Sequence, residues 1–209
     1  MKINFTFLIA ACLLLAAIAD AQTNEPATVS KGSKIYFAVG GGAGYKSQML
    51  GFSGTWIMKN DWGFSLSYKG NNFEPRNLPS DYYQGLDFVK PYDYLHFLSF
   101  NYLREFDSKT KLLRYGIEAG PSLVTEGVAV FTHKPYAGLN DLFESNYTYT
   151  YAQKPAVGLS VRGKIEFPFS RFAGLEGAVF ANVNAFRSIV GGEIYLTLGK
   201  VRDRIKNKK

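Results

Sequence analysis

Cysteine is almost missing from this 209-residue chain: Cys12 is the only one, and it lies in an apolar leader. Without that leader there is no disulfide framework, no thiolate zinc cluster and no thiol nucleophile. Histidine is nearly as scarce, with His96 and His133 alone. So thin a donor set predicts no transition-metal site and no cofactor. The acidic residues Asp81, Asp87, Asp141 and Glu144 lack the spacing of a calcium loop. Beyond the leader no apolar run reaches the about 20 residues of a membrane-spanning helix. The glycines Gly40-Gly41-Gly42 and Gly44 do not follow the G-x-G-x-x-G spacing, so a nucleotide loop is excluded as well.

What the chain does have begins with an export signal. Lys2 precedes the uncharged stretch Ile3–Ile18, and Ala19-Asp20-Ala21 places small residues at −3 and −1 before Gln22. That order predicts a cleaved signal peptide over residues 1–21. Ile9-Ala10-Ala11-Cys12 has the outline of a lipobox, but cleavage there would leave the apolar Leu13–Ile18 on the mature protein. Residues 22–33 read as a flexible leader, 34–201 as one domain and 202–209 as a basic tail. The net charge of +7 gathers near that tail, in Lys200, Arg202, Arg204, Lys206, Lys208 and Lys209 against Asp203. A charged end on a nearly balanced body is a solvated tail, not a nucleic-acid stripe.

Between leader and tail the chain alternates apolar with small or polar residues at period two, the signature of β-strands with two unlike faces. Eight such runs are predicted: Lys34–Gly44, Gln48–Met58, Trp62–Asn71, Tyr92–Phe106, Lys111–Thr125, Tyr151–Phe167, Phe172–Ala185 and Ile189–Val201. Their lengths suit tilted membrane strands. Tight turns at Lys59-Asn60-Asp61, Asp107–Thr110 and Pro168–Arg171 alternate with longer connections near Asn72–Pro91 and Glu126–Thr150. That parity puts the tight turns and both termini in the periplasm and the long loops outside.

One face carries Phe37, Phe64, Leu66, Leu159, Val161, Val179 and Ile194; the other carries Gly40, Ser65, Ser67, Ser160, Arg162, Glu176 and Glu193. Aromatics gather near strand ends, as interface girdles do. A mean hydropathy of −0.10 is compatible with a membrane barrel, whose strands hide half their residues from lipid. The predicted fold is an all-β, eight-stranded antiparallel up-and-down transmembrane β-barrel. Its rival is a soluble lipocalin-like barrel with the faces reversed.

An eight-stranded lumen is just wide enough to be filled by side chains. Arg114, Arg162 and Lys164 are therefore expected to pair there with Glu118, Glu166, Glu176 and Glu193, since charges sealed from water need partners. The first-strand glycines are expected to make room for larger lumen neighbours. On its signal, strand count, loop alternation and length, the chain resembles the small outer-membrane barrels of the OmpA/OmpX type. It is most similar to the PorT-like "outer membrane protein beta-barrel domain" families of Gram-negative bacteria. The resemblance spans Lys34–Val201. It implies outer-membrane lipid as surroundings, the barrel assembly machinery as a partner during insertion, and a role in adhesion, envelope integrity or secretion. The chain departs from such barrels in continuing past Leu198 rather than ending on an aromatic residue.

No catalytic set emerges. Lipid A deacylase barrels, which the chain resembles in size, use a His-x-Ser pair on one face. Here His96 and Ser99 are three apart and fall on opposite faces of a strand. The long loops are the stronger candidates for function, through Tyr82, Tyr83, Tyr136, Phe143, Tyr147 and Tyr149. Tyrosine gives large contact area at low entropy cost, which suits a protein or glycan ligand. The sequence thus predicts a non-enzymatic envelope protein acting through its loops or within a larger complex. A lipid-modifying enzyme and a narrow solute channel are the functional alternatives.

Overall fold

The computed structural model describes residues 32–84, 90–108, 112–134 and 145–201. The expected signal peptide, most of the leader and the tail at 202–209 lie outside the described residues, as do Asp87, Tyr136, Asp141, Phe143 and Glu144. Eight strands form: β1 (Lys34–Gly44), β2 (Ser47–Ile57), β3 (Trp62–Phe73), β4 (Asp93–Asp107), β5 (Arg114–His133), β6 (Tyr147–Phe167), β7 (Ala173–Asn184) and β8 (Ile189–Lys200). Each pairs antiparallel with its sequence neighbour, and β8 returns to β1, so the sheet closes. The turns at both ends fit this path. Lys46 and Asp61 take left-handed φ values of 55° and 65°, and Asp61 donates its amide to the Met58 carbonyl at 3.1 Å.

The polarity of the wall is inverted relative to a soluble protein. Phe37 is 70% exposed, Leu50 76% and Val157 74%, while Glu118, Glu176 and Glu193 are each 1% exposed. In water such a surface would be an aggregation hazard; in a bilayer it is the favourable side. The fold is an eight-stranded antiparallel up-and-down barrel of transmembrane type. At the tight-turn end the exposed belt finishes in aromatics, with Trp62 stacked on Tyr102 at 4.8 Å and the Arg104 guanidinium 4.5 Å from the Trp62 ring.

Two features of the interior depart from the sequence reading. Its two ends carry apolar clusters as well as polar and charged side chains. Met49, Phe73, Leu95, Phe97, Val124, Phe180 and Ile189 cluster toward the long-loop end, and Tyr36, Ile57, Leu103 and Val201 toward the other. These residues share the inward parity with the charges, and alternation alone cannot tell a capping Phe from a lipid-facing one. At Gly40 and Gly42 the nearest obstacle is backbone rather than a bulky side chain. A Cβ on Gly40 would strike the Ile194 carbonyl, and one on Gly42 the Gly192 carbonyl, so glycine permits the close seam between β1 and β8.

A third correction concerns length. Twelve of the 25 residues expected as a connection over Glu126–Thr150 are strand. β5 runs on to His133, β6 starts at Tyr147, and their register continues unbroken from Arg114↔Glu166 to His133↔Tyr147. The run Thr148-Tyr149-Thr150-Tyr151 keeps period two and is built of strand-favouring residues. β4 accompanies β5 only as far as Gly127, and β7 meets β6 only from Gly158. The β5–β6 hairpin therefore stands clear of the barrel body.

Candidate functional site: a closed lumen and an external hairpin

Among the described residues, ten charges of inward parity join in one network within the lumen. Lys34, Lys69, Arg114, Arg162 and Lys164 face Glu105, Glu118, Glu166, Glu176 and Glu193, and all are nearly inaccessible to solvent. The structure brings together all seven charged residues expected in the lumen. Arg162 contacts Glu118 at 3.3 Å and also pairs with Glu176 and Glu193. Lys164 reaches Glu118 and Glu166 at 2.8 Å and Glu176 at 3.6 Å. Glu118 and Glu176 thus each bridge Arg162 and Lys164, which closes a ring. One arm leaves it through Glu166, Arg114 and Glu105 to Lys34; the other runs through Glu193 to Lys69, whose ammonium lies 2.7 Å away.

Hydroxyls complete the arrangement. Tyr36 donates to Glu166 and accepts from Lys164 at 3.0 Å, and Ser65 donates to Glu118 at 2.7 Å. Buried charges tolerate low dielectric only when matched and hydrogen-bonded in this manner. Sequence reasoning missed Lys34, Lys69 and Glu105 as members. Alternation sets Lys69 on the polar face with Ser65 and Ser67, but does not say which carboxylate it reaches. Lys34 and Glu105 sit at strand ends, where an inward charge is hard to tell from a solvated one.

At the end of β8 the chain seals one mouth. Gly199, at φ 128°, bends the backbone inward. Val201 then becomes fully buried, its amide donating to the Arg171 carbonyl at 3.0 Å. Its own carbonyl accepts from Arg114, so the seal and the charge network are joined.

The second region is the hairpin beyond the barrel. The β3–β4 connection folds onto it through Asp81-Tyr82-Tyr83. The Tyr83 amide donates to Asn146 Oδ1 at 2.7 Å, and Asn146 Nδ2 donates to the Asp81 carbonyl at 2.7 Å. Tyr147 donates its phenol to Asp81 Oδ1 at 2.9 Å, and that bond holds the phenol proton above its ordinary range. The Tyr82 ring lies 5.8 Å from Phe131 and 6.3 Å from Tyr147. Rings then follow one another along the hairpin, Phe131 to Tyr149 at 6.3 Å, Tyr149 to Tyr151 at 5.8 Å and Tyr151 to Tyr94 at 5.1 Å. Burial, reinforced by Tyr92 and Tyr149, pushes the Tyr151 phenol up to about 12.

Of the tyrosines singled out from the sequence, Tyr82, Tyr147 and Tyr149 belong to this aromatic row, and Tyr83 stands 53% exposed beside it. Below the row, Arg76 pairs with Glu126 at 2.6 Å. Both Asp93 carboxylate oxygens are taken by the Arg76 and Ala129 amides at 3.0 Å. His96 points outward, bonded through Nδ1 to the Tyr68 hydroxyl at 3.0 Å and stacked on Tyr94 at 4.6 Å. Ser99 is fully buried on the opposite face, so the two cannot form a nucleophile and base. No cluster of metal-ligating side chains occurs among the described residues.

No family model matches the chain, and no curated protein does. Among solved structures it is similar to the N-terminal β-barrel domain of Pseudomonas aeruginosa OprF, at 10% identity and a TM-score of 0.49 over 80% of this chain and 97% of that one. Neisserial surface protein A aligns at 15% identity and 0.47, covering 80% and 95%. Ail, the attachment invasion locus protein of Yersinia pestis, solved with the heparin analogue sucrose octasulfate, aligns at 8% and 0.47, covering 80% and 96%. The barrel is defined by its own eight registers, and these likenesses assign it no activity.

Proposed function

We propose that this chain is an exported outer-membrane protein with a plugged, non-conducting barrel, and that it acts through the hairpin and loop raised above the membrane. In this reading residues 1–21 are a cleaved signal and both termini are periplasmic. The barrel assembly machinery inserts the domain, and outer-membrane lipid surrounds its apolar wall. The working surface is the aromatic row of the β5–β6 hairpin with Tyr82 and Tyr83, meeting a protein or glycan ligand or a larger envelope assembly. The protein is not an enzyme.

The observation that carries the proposal is the sealed lumen. A charged ring and its two arms run through the lumen, and an apolar cluster lies toward each end. The lumen charges are committed to one another, which leaves none of them free for a substrate. Elaboration is instead concentrated outside, where β5 and β6 outrun their neighbours.

The test is expression of the full chain followed by outer-membrane fractionation, gels with and without boiling, and single-channel recording in a planar bilayer. Outer-membrane residence, a boiling-dependent mobility shift and a silent bilayer are expected. A soluble band that does not shift would overturn the membrane assignment. Steady conductance that changes in Arg162→Ala would make the lumen a pore.

A further inference from the structure

β6 is paired on one side along nearly its whole length and on the other along only half of it. β5 accompanies it from Tyr147 to Glu166, whereas β7 takes it up only from Gly158 to Phe167. Between Tyr147 and Val157 the second main-chain edge has no strand beside it among the described residues. Edges that must stay unpaired are usually protected by charge or proline. Lys154 and Pro155 protect only the root of this one, next to the barrel. The distal stretch Tyr147–Gln153 has neither, and its threonines and tyrosines favour strand. Thr148, Thr150 and Ala152 are all exposed.

We propose that this edge pairs with the same edge of a second copy of the chain standing in an opposing membrane. The inference rests on the external placement of the hairpin proposed above. Its geometry follows from chain direction. β6 runs from the hairpin tip toward its own membrane, so copies in facing membranes present their β6 strands antiparallel. Pairing centred on Thr150 sets Thr150 opposite Thr150, Tyr149 opposite Tyr151 and Thr148 opposite Ala152. Threonine and aromatic pairs of this kind are favoured across antiparallel strands.

Charge agrees with the same centre. The whole chain carries +7, yet Tyr147–Gln153 is uncharged, and Lys154 falls opposite the neutral Asn146. On one face of the paired edges, Tyr149 and Tyr151 would carry the aromatic row from one copy into the other. Only another strand offers main-chain donors and acceptors at the spacing an open ladder requires.

The full chain is placed in nanodiscs at one barrel per disc, and disc pairs are counted by sedimentation velocity over a concentration series. The wild type is expected to form two-disc particles. Thr150→Lys and Thr150→Glu, each alone, are expected to weaken pairing about tenfold, because like charges then meet at the centre. Mixing the Lys and Glu variants is expected to restore it. Single wild-type discs would overturn the pairing, as would disc pairs that persist in Thr150→Lys or a mixture that fails to rescue. The boiling-dependent shift is read on every sample. Its loss from the wild type would sink the barrel assignment, whereas single discs with the shift intact would sink only the pairing.

Discussion

β5 and β6 pass through two environments, and the same alternation serves opposite ends in them. Within the barrel the even positions of β6 (Ser160, Arg162, Lys164 and Glu166) are buried, while the odd Val157, Leu159 and Val161 stand exposed. Above it the odd Tyr147, Tyr149 and Tyr151 are partly covered, and the even Thr148, Thr150 and Ala152 face water. One strand thus carries charge-in, apolar-out order below and aromatic-covered, polar-out order above. Period two fixes which residues share a face, but the surroundings decide which face is the inside. The crossover lies near Lys154-Pro155, where accompaniment by β7 is about to begin.

The comparison predicts that the two regions fail separately. The largest effect is expected from Arg162→Ala, which leaves Glu118, Glu176 and Glu193 without their shared cation. Four cations then serve five buried carboxylates, and a loss of about 3–5 kcal/mol is expected for the uncompensated charge, read as a lower urea midpoint of the boiling-sensitive band. Next, Phe97→Ala should cost about 3 kcal/mol by the same assay, because its ring is fully packed with Phe180 in the apolar cap. Neither substitution should alter protease resistance of the hairpin under conditions where the barrel remains folded.

Tyr82→Ala tests the other side. Its ring contacts with Phe131 and Tyr147 are worth about 1 kcal/mol. Limited proteolysis should therefore cut the β3–β4 connection faster, with no change in the urea midpoint. If the midpoint fell as far as in Arg162→Ala, the two regions would be one cooperative unit. The smallest effect is a pH dependence. The Tyr147 proton is held more tightly in the folded hairpin than in the unfolded chain. Its bond to Asp81 is then fully present below the ordinary tyrosine value and lost as pH rises through the raised one. Protease sensitivity should grow in that alkaline window, and Tyr147→Phe should abolish the growth.

The sequence made the barrel legible because strand alternation, turn chemistry and connection parity agree over its whole length. Residues such as Arg162 and Glu193, charged at mid-strand between apolar neighbours, also announced their inward face. Leu95 and Phe97 did not: they lie in a run, Tyr94-Leu95-His96-Phe97-Leu98, where both faces are bulky and alternation carries no sign. The upper hairpin was hidden for a different reason. Gly127 and Ala129 in β5, with aromatics alternating with threonine in β6, look like a recognition loop until register shows that each residue has a partner. The latch between Asp81 and Tyr147 joins residues 66 apart, a separation that no local pattern reports.

The ring within the lumen has a consequence for how this sequence can drift. Glu118 and Glu176 are parallel routes between Arg162 and Lys164, so losing either leaves the remaining charges joined. Arg114, Glu166 and Glu193 have no such duplicate, and losing one cuts an arm away. Lys34 and Lys69 are termini whose loss severs nothing else. Among descendants of this chain, variation should therefore enter the network first at its termini, then at one member of the duplicated pair, and last at the single links.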